Sequence, residues 1–169
     1  MPRIRLITRA DDLGAQQSAN RAIKETFESG ICRNAGIMAC TPRAEEAALL
    51  LANEPALCIG LHCTLTAEWD TLRWGPVLPP EQIPSIVKED GTFFRTVPDV
   101  RENNPDPEHI MAELEAQFER AAGLGFDLRY ADFHMGGSRL VDELLGDGTF
   151  HRWVTGKGLV DGVTDWNRV

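Results

Sequence analysis

The feature that most constrains this chain is a repeated alternation of short apolar runs with segments of helical periodicity. An apolar run at residues 4–7 precedes a helical pattern over 15–29, and a second apolar run follows at 34–40. An alanine- and leucine-rich helical segment (45–54) and a third apolar run (56–63) continue the order. Short apolar runs bounded by turn residues are typical of buried strands. The order β-α-β-α-β therefore predicts an α/β fold with a parallel sheet.

A long irregular segment interrupts this pattern at residues 64–106. It contains most of the prolines and two tryptophans, Trp69 and Trp74, without clear periodicity. Segments of this length inside a domain are usually functional, so we interpret it as an insertion acting as an excursion or a lid. The alternative is a surface insertion with little fixed structure.

The pattern resumes after the insertion. A helix is predicted from Asp106 to Gly123, a fourth strand over 128–133, and a last helix over about 139–155. The residues that follow begin like a fifth strand. The sequence therefore predicts four or five strand–helix units.

Length and charge limit the classes of protein that this chain can represent. Its 169 residues suffice for a single domain, which we place at 1–169. A net charge of −9 disfavours nucleic acid or an anionic membrane as partner and favours a neutral or cationic small substrate. No apolar run approaches the roughly 20 residues of a membrane span. The N-terminus lacks the apolar core of a signal peptide, so we expect a cytoplasmic protein.

Polar residues with catalytic potential lie at the predicted strand ends. Asp11 and Asp12 follow the first apolar run, His62 lies near the end of the third, and His134 follows the fourth. The four cysteines lack CxxC spacing, and we expect reduced core residues rather than a zinc site.

Taken singly, an Asp pair is ordinarily a loop or a helix cap, and a histidine is ordinarily structural. Because parallel strands all end at one edge of the sheet, however, we expect these four side chains to converge. Two imidazoles and one carboxylate leave open positions on a divalent cation, and the spare carboxylate is then free to act as a general base.

Several motifs in this order resemble a known family. ADDLG, the Asn20-Arg21 pair, GICRNAGIMACTP, GLHCTLT and YADFH are similar to the motifs of the YdjC/ChbG-like carbohydrate deacetylases. Members of that family are metal-dependent enzymes that remove N-acetyl groups from chito-oligosaccharides. The resemblance implies a distorted (β/α) barrel of the polysaccharide-deacetylase type and a small carbohydrate substrate.

The resemblance also implies roles for individual residues. Asp12, His62 and His134 would bind one divalent metal ion, zinc or magnesium. Asp11 would be the catalytic base, and Asp132 would orient the site from outside the ligand set.

The length of the chain leaves alternatives to this activity. A complete (β/α) barrel typically has about 250 residues, so we expect a barrel truncated to four or five units. Open sheet edges favour association, and we expect a homodimer. The chain could also be an impaired remnant that binds metal or sugar, or another metal-dependent sugar enzyme, such as an isomerase or lyase. Trp69 or Trp74 could stack on a sugar ring, the alternative for both being ordinary packing.

Overall fold

A computed structural model describes residues 6–146 and 148–164 of the chain. One parallel sheet has the strand order β1-β2-β3-β4-β5. Its strands are β1 (Arg9–Leu13), β2 (Asn34–Ile37), β3 (Cys58–Cys63), β4 (Leu128–Phe133) and β5 (Val160–Asp161). The helices are α1 (Gln17–Glu28), α2 (Ala44–Leu51), α3 (Val97–Glu102), α4 (Pro107–Gly123), α5 (Ser138–Leu145) and α6 (Thr149–Gly156). The predicted α/β class with a parallel sheet is confirmed.

The first strand begins later in the chain than the apolar run at residues 4–7 predicted. Ile4 is outside the described residues, and Leu6 and Ile7 are 84% and 48% exposed. The strand instead contains both aspartates and ends at Leu13, which is fully buried. Its pairing with β2 anchors it there, with a shift in register between Ala10 and Leu13. The aspartates therefore lie within the strand, and the prediction of a strand that ends before them is wrong.

Within the described residues, β1 and β5 are the two edges of the sheet and do not pair with each other. A closed barrel is therefore not confirmed. Arg9 on β1 nevertheless forms an ion pair with Asp132 on β4, across two intervening strands. Charged residues of β1 and β4 therefore meet on one face of the sheet.

Two glycines permit the close approach of side chains on this face. A Cβ atom at Gly36 on β2 would lie 3.1 Å from the Cβ of His62 and 3.2 Å from Oδ1 of Asp11. A Cβ atom at Gly60 on β3 would overlap the ring of Tyr130. The absence of side chains at these positions gives the neighbouring strands room for larger groups.

The insertion at 64–106 packs against the rest of the fold. It contains α3 and two 3₁₀ turns, Pro80–Gln82 and Pro84–Ile86. The buried carboxylate of Glu113 on α4 accepts hydrogen bonds from the backbone N–H groups of Val77 (2.9 Å) and Leu78 (3.1 Å). The buried hydrophobic side chains of the insertion are Leu65, Ala67, Trp74, Ile83, Ile86, Val87, Phe93 and Val100. The segment is thus tied to α4 rather than lying loosely on the surface.

The single helix predicted over 139–155 is two helices, α5 and α6. Gly146 and Gly148 between them have φ values of 95° and 75°, which an α-helix cannot contain. The chain can therefore reverse after α5, and α6 leads back to the short strand β5. The prediction of one continuous helix is wrong for this reason.

Two further sequence expectations can be compared with the structure. All four cysteines are free, and Cys32, Cys40 and Cys63 are buried. Burial raises the pKa of the Cys63 thiol well above its usual value, as expected of a core residue. In the described part of the chain, no helix has the length and apolar character needed to cross a membrane.

Candidate metal centre

Three predicted ligands meet at the carboxyl edge of the sheet. Asp12 lies near the end of β1, His62 near the end of β3, and His134 directly after β4. Oδ1 of Asp12 lies 3.6 Å from Nε2 of His62 and 3.2 Å from Nδ1 of His134. Both imidazoles are buried, whereas the Asp12 carboxylate is about one third exposed. The arrangement is therefore a recessed cluster with one open side.

Unusual backbone conformations help to place two of these ligands. Asp12 has a φ of 63°, and Met135, directly after His134, has a φ of 51°. Such left-handed conformations cost about 1–3 kcal/mol in residues other than glycine and are found preferentially at functional sites. At Asp12 the conformation coincides with the shift in register between β1 and β2. Local strain at both positions is consistent with a site whose geometry matters.

The cluster fits a divalent cation. Protein oxygen and nitrogen ligands lie about 2.0–2.2 Å from zinc, so two ligands of one ion are roughly 3.0–3.6 Å apart. The distances from Asp12 to His62 and to His134 fall in this range. Burial opposes ionisation of Asp12, but its hydrogen bond to His134 and the charges of His134 and His62 together outweigh this effect and hold the pKa of Asp12 below its usual value. The carboxylate is therefore charged and available at neutral pH.

Asp132 contacts the first of the two histidines. Its Oδ1 accepts a hydrogen bond of 2.8 Å from Nδ1 of His62, and both side chains are buried. This bond leaves Nε2 of His62 with its lone pair on the side facing Asp12. A carboxylate in this position fixes both the tautomer and the orientation of a histidine ligand.

Asp11 lies beside the cluster and is held by an arginine that the sequence interpretation missed. Arg9 contacts both carboxylate oxygens of Asp11, through Nε at 2.7 Å and Nη2 at 3.0 Å. The signal was present in the sequence, because residues two apart on a strand share one face.

Arg9 also determines how many ions the edge can hold. Asp11, His62 and Asp132 are close enough to form a second potential metal site. The guanidinium of Arg9, however, already forms ion pairs with both carboxylates of this second site, Asp11 and Asp132, and its positive charge offsets part of theirs. The charge balance therefore favours a single ion at Asp12.

The insertion supplies a second carboxylate that sequence reasoning missed. Oε2 of Glu68 lies 2.9 Å from Nε2 of His134. Burial alone would lower the pKa of His134, but hydrogen bonds to Asp12 and Glu68 raise it above its usual value. Glu68 lies in a segment without periodicity, so no pattern in the sequence linked it to His134.

The two tryptophans of the insertion differ in environment. Trp74 is 3% exposed, and its indole N–H donates to the carbonyl oxygen of Thr66 at 2.8 Å. Stacking on a sugar is therefore wrong for Trp74, which packs in the core. The ring of Trp69 is only partly buried and meets that of Trp74 edge-on, with centroids 5.7 Å apart. Of these two tryptophans, Trp69 is the more exposed.

Known proteins resemble this chain in both sequence and structure. A carbohydrate deacetylase from Thermoanaerobacter pseudethanolicus is 32% identical over 143 residues, which is 83% of this chain and 55% of that protein. A carbohydrate deacetylase from Geobacillus stearothermophilus is 34% identical, over 79% of this chain and 50% of its own length. The chain thus spans about half the length of these curated relatives.

A solved structure supports the same relationship. The crystal structure of a protein from Enterococcus faecalis, described as a proposed cellobiose-phosphate cleavage protein, superimposes with a TM-score of 0.72 at 28% identity. The match covers 87% of this chain and 54% of that one. In addition, residues 5–145 match the sequence profile of the YdjC-like proteins. This chain therefore belongs to the YdjC-like protein family.

Proposed function

We propose that this chain carries the active centre of a metal-dependent hydrolase that removes acetyl groups from N-acetylated sugars or chito-oligosaccharides. The observation that carries the proposal is the convergence of Asp12, His62 and His134, with the carboxylate of Asp11, held by Arg9, beside them. The names of the two deacetylases support the same chemistry. Asp12, His62 and His134 would hold one divalent ion, zinc or magnesium.

When bound, such an ion supplies Lewis-acid activation of a water molecule and of the amide carbonyl. Asp11 then accepts a proton from the attacking water. Its carboxylate is 38% exposed, so a substrate can reach it, and its ion pair with Arg9 fixes its orientation. The water oxygen bonds to the acetyl carbon, the C–N bond breaks, and the proton passes from Asp11 to the departing amine. The products are acetate and a free amino sugar.

The charges around the centre favour a neutral substrate. Four carboxylates lie in or beside the cluster: Asp11, Asp12, Glu68 and Asp132. Arg9 is already paired with two of these, Asp11 and Asp132. An anionic group would be repelled by the unpaired negative charge. Trp69 offers an apolar ring face beside this site, on which the C–H groups of a sugar can pack.

The proposal is tested by measuring bound metal and released acetate on the same protein. We expect about one metal ion per chain by elemental mass spectrometry, lost in the Asp12→Ala/His62→Ala double variant. We expect acetate release from diacetylchitobiose by the wild type. Asp11→Asn should keep the metal and lose most of the acetate release, since only the base is removed. Metal binding without acetate release in the wild type would refute the deacetylase proposal and favour a binding remnant.

Cleavage of a cellobiose phosphate is the alternative that the description of the Enterococcus faecalis protein suggests, although the negative charge around this centre disfavours a phosphorylated substrate. It would break a glycosidic bond and release a monosaccharide instead of acetate. Incubation with cellobiose 6-phosphate and with diacetylchitobiose, followed by analysis of both products, separates the two reactions.

A further inference from the structure

We propose that Glu68 is a positioning residue that fixes His134 so that Nδ1 faces the metal, whereas His62 faces it through Nε2. The two histidine ligands would therefore use opposite ring nitrogens. The inference rests on the metal site of the proposed function and adds a residue from the insertion to it.

The hydrogen bonds of the two imidazoles carry this inference. A neutral imidazole has one N–H group and one lone pair, and the partner of the N–H decides where the lone pair lies. In His62, Nδ1 contacts Asp132 at 2.8 Å, which leaves Nε2 toward Asp12. In His134 the roles are reversed, because Nε2 contacts Glu68 at 2.9 Å and Nδ1 lies 3.2 Å from Asp12. Each histidine thus has its own carboxylate on the side away from Asp12.

The segment that carries Glu68 is itself fixed. The backbone carbonyl of Glu68 accepts a hydrogen bond of 2.8 Å from Arg95, which also forms an ion pair of 2.6 Å with Asp70. The N–H of Ala67 donates to the carbonyl of Phe94 at 2.8 Å. The Glu68 side chain is only 19% exposed. Its carboxylate is therefore held against His134 by the folded insertion and is not a chance contact of a mobile surface residue.

Loss of such an outer partner typically lowers metal affinity by about 10–100-fold. We expect a loss of this size for Glu68→Ala, measured by competitive titration with Zn²⁺. Glu68→Gln should lose less, because its amide oxygen still accepts the imidazole N–H. Glu81→Gln is the matched control, since Glu81 is an exposed residue of the same insertion, in the 3₁₀ turn Pro80–Gln82. It should bind Zn²⁺ like the wild type.

The choice of nitrogen is read directly from wild-type protein labelled with ¹⁵N-histidine and loaded with Zn²⁺. Long-range ¹H–¹⁵N correlation spectra should show His134 protonated at Nε2 and His62 protonated at Nδ1. Coordination of both histidines through Nε2 would overturn the inference, as would wild-type Zn²⁺ affinity in a folded Glu68→Ala variant. Failure of the wild type to bind Zn²⁺ at all would instead refute the proposed function and the inference with it.

Discussion

Replacing Gly36 with alanine tests whether the close approach of β1, β2 and β3 sets the geometry of the metal centre. A Cβ atom at this position would lie 3.1 Å from Cβ of His62, 3.3 Å from its Cγ, and 3.2 Å from Oδ1 of Asp11. These distances are about 0.2–0.4 Å shorter than the roughly 3.5 Å at which non-bonded atoms pack without repulsion. His62 cannot simply move away, because Asp132 holds its ring from the other side at 2.8 Å.

The expected cost follows from this crowding. Overpacking of a buried site costs about 1–3 kcal/mol. Replacement of glycine by alanine stabilises the folded state by about 0.4–1 kcal/mol, because it lowers the conformational entropy of the unfolded chain. We therefore expect a net loss of about 1–2 kcal/mol in the free energy of unfolding. The displaced His62 should also lower Zn²⁺ affinity by about tenfold, the lower end of the effect of disturbing a ligand's support.

Urea unfolding and Zn²⁺ titration measure the two effects separately. Gly123→Ala is the matched control, because a Cβ atom at the end of α4 meets nothing within 4 Å. It should leave Zn²⁺ affinity unchanged and stabilise the chain by up to about 1 kcal/mol. A Gly36→Ala variant with the urea midpoint and the Zn²⁺ affinity of the wild type would show that the contacts around Gly36 do not constrain the site.

Three other predictions address the insertion and the edges of the sheet. Burial raises the pKa of Glu113 in the folded protein above its value of about 4.5 in the unfolded chain. The contribution of Glu113 to stability is therefore full below pH 4.5 and is lost as the pH rises through the pKa of the folded protein. Between pH 4 and 7 the urea midpoint of the wild type should therefore fall relative to that of Glu113→Gln; a constant difference between the two would contradict the prediction. Trp74→Ala should cost about 3–5 kcal/mol in stability, whereas Trp69→Ala should mainly raise KM for diacetylchitobiose; an unchanged KM would remove Trp69 from the sugar site. The expected homodimer should have twice the 18.7 kDa chain mass by light scattering, and a uniform species of 18.7 kDa would exclude it.

Local sequence patterns were sufficient to predict most strands and to place His62 near the end of β3 and His134 directly after β4. His62 lies near the end of one apolar run, and His134 directly follows another. Such runs can be recognised from adjacent residues in the sequence, without knowledge of the fold. The first strand was misplaced because its sequence, RADDL, buries only Leu13, while the more apolar residues before it are exposed. Its position is determined by pairing with β2, which is not a local property.

Other features of the site depend on contacts between distant parts of the chain. Glu68 reaches His134 across 66 residues, through an insertion whose path no periodicity could predict. Arg9 meets Asp132 across two intervening strands, a contact that depends on the tertiary structure. The role of Gly36 requires knowledge of which side chains lie on the two neighbouring strands. These residues contact or adjoin the predicted ligands, and their chemistry alone does not distinguish them from ordinary surface or turn residues.

The adjacency of Glu68 and Trp69 has a consequence for how such proteins diverge. Glu68 contacts a histidine of the cluster, and Trp69 carries the partly buried ring that we propose packs against the sugar. A substitution or short deletion that adapts this segment to a different sugar would also disturb the partner of His134. Sugar preference and metal retention are therefore expected to change together when this segment varies. His62 is insulated from such changes, because its partner Asp132 belongs to a strand of the sheet.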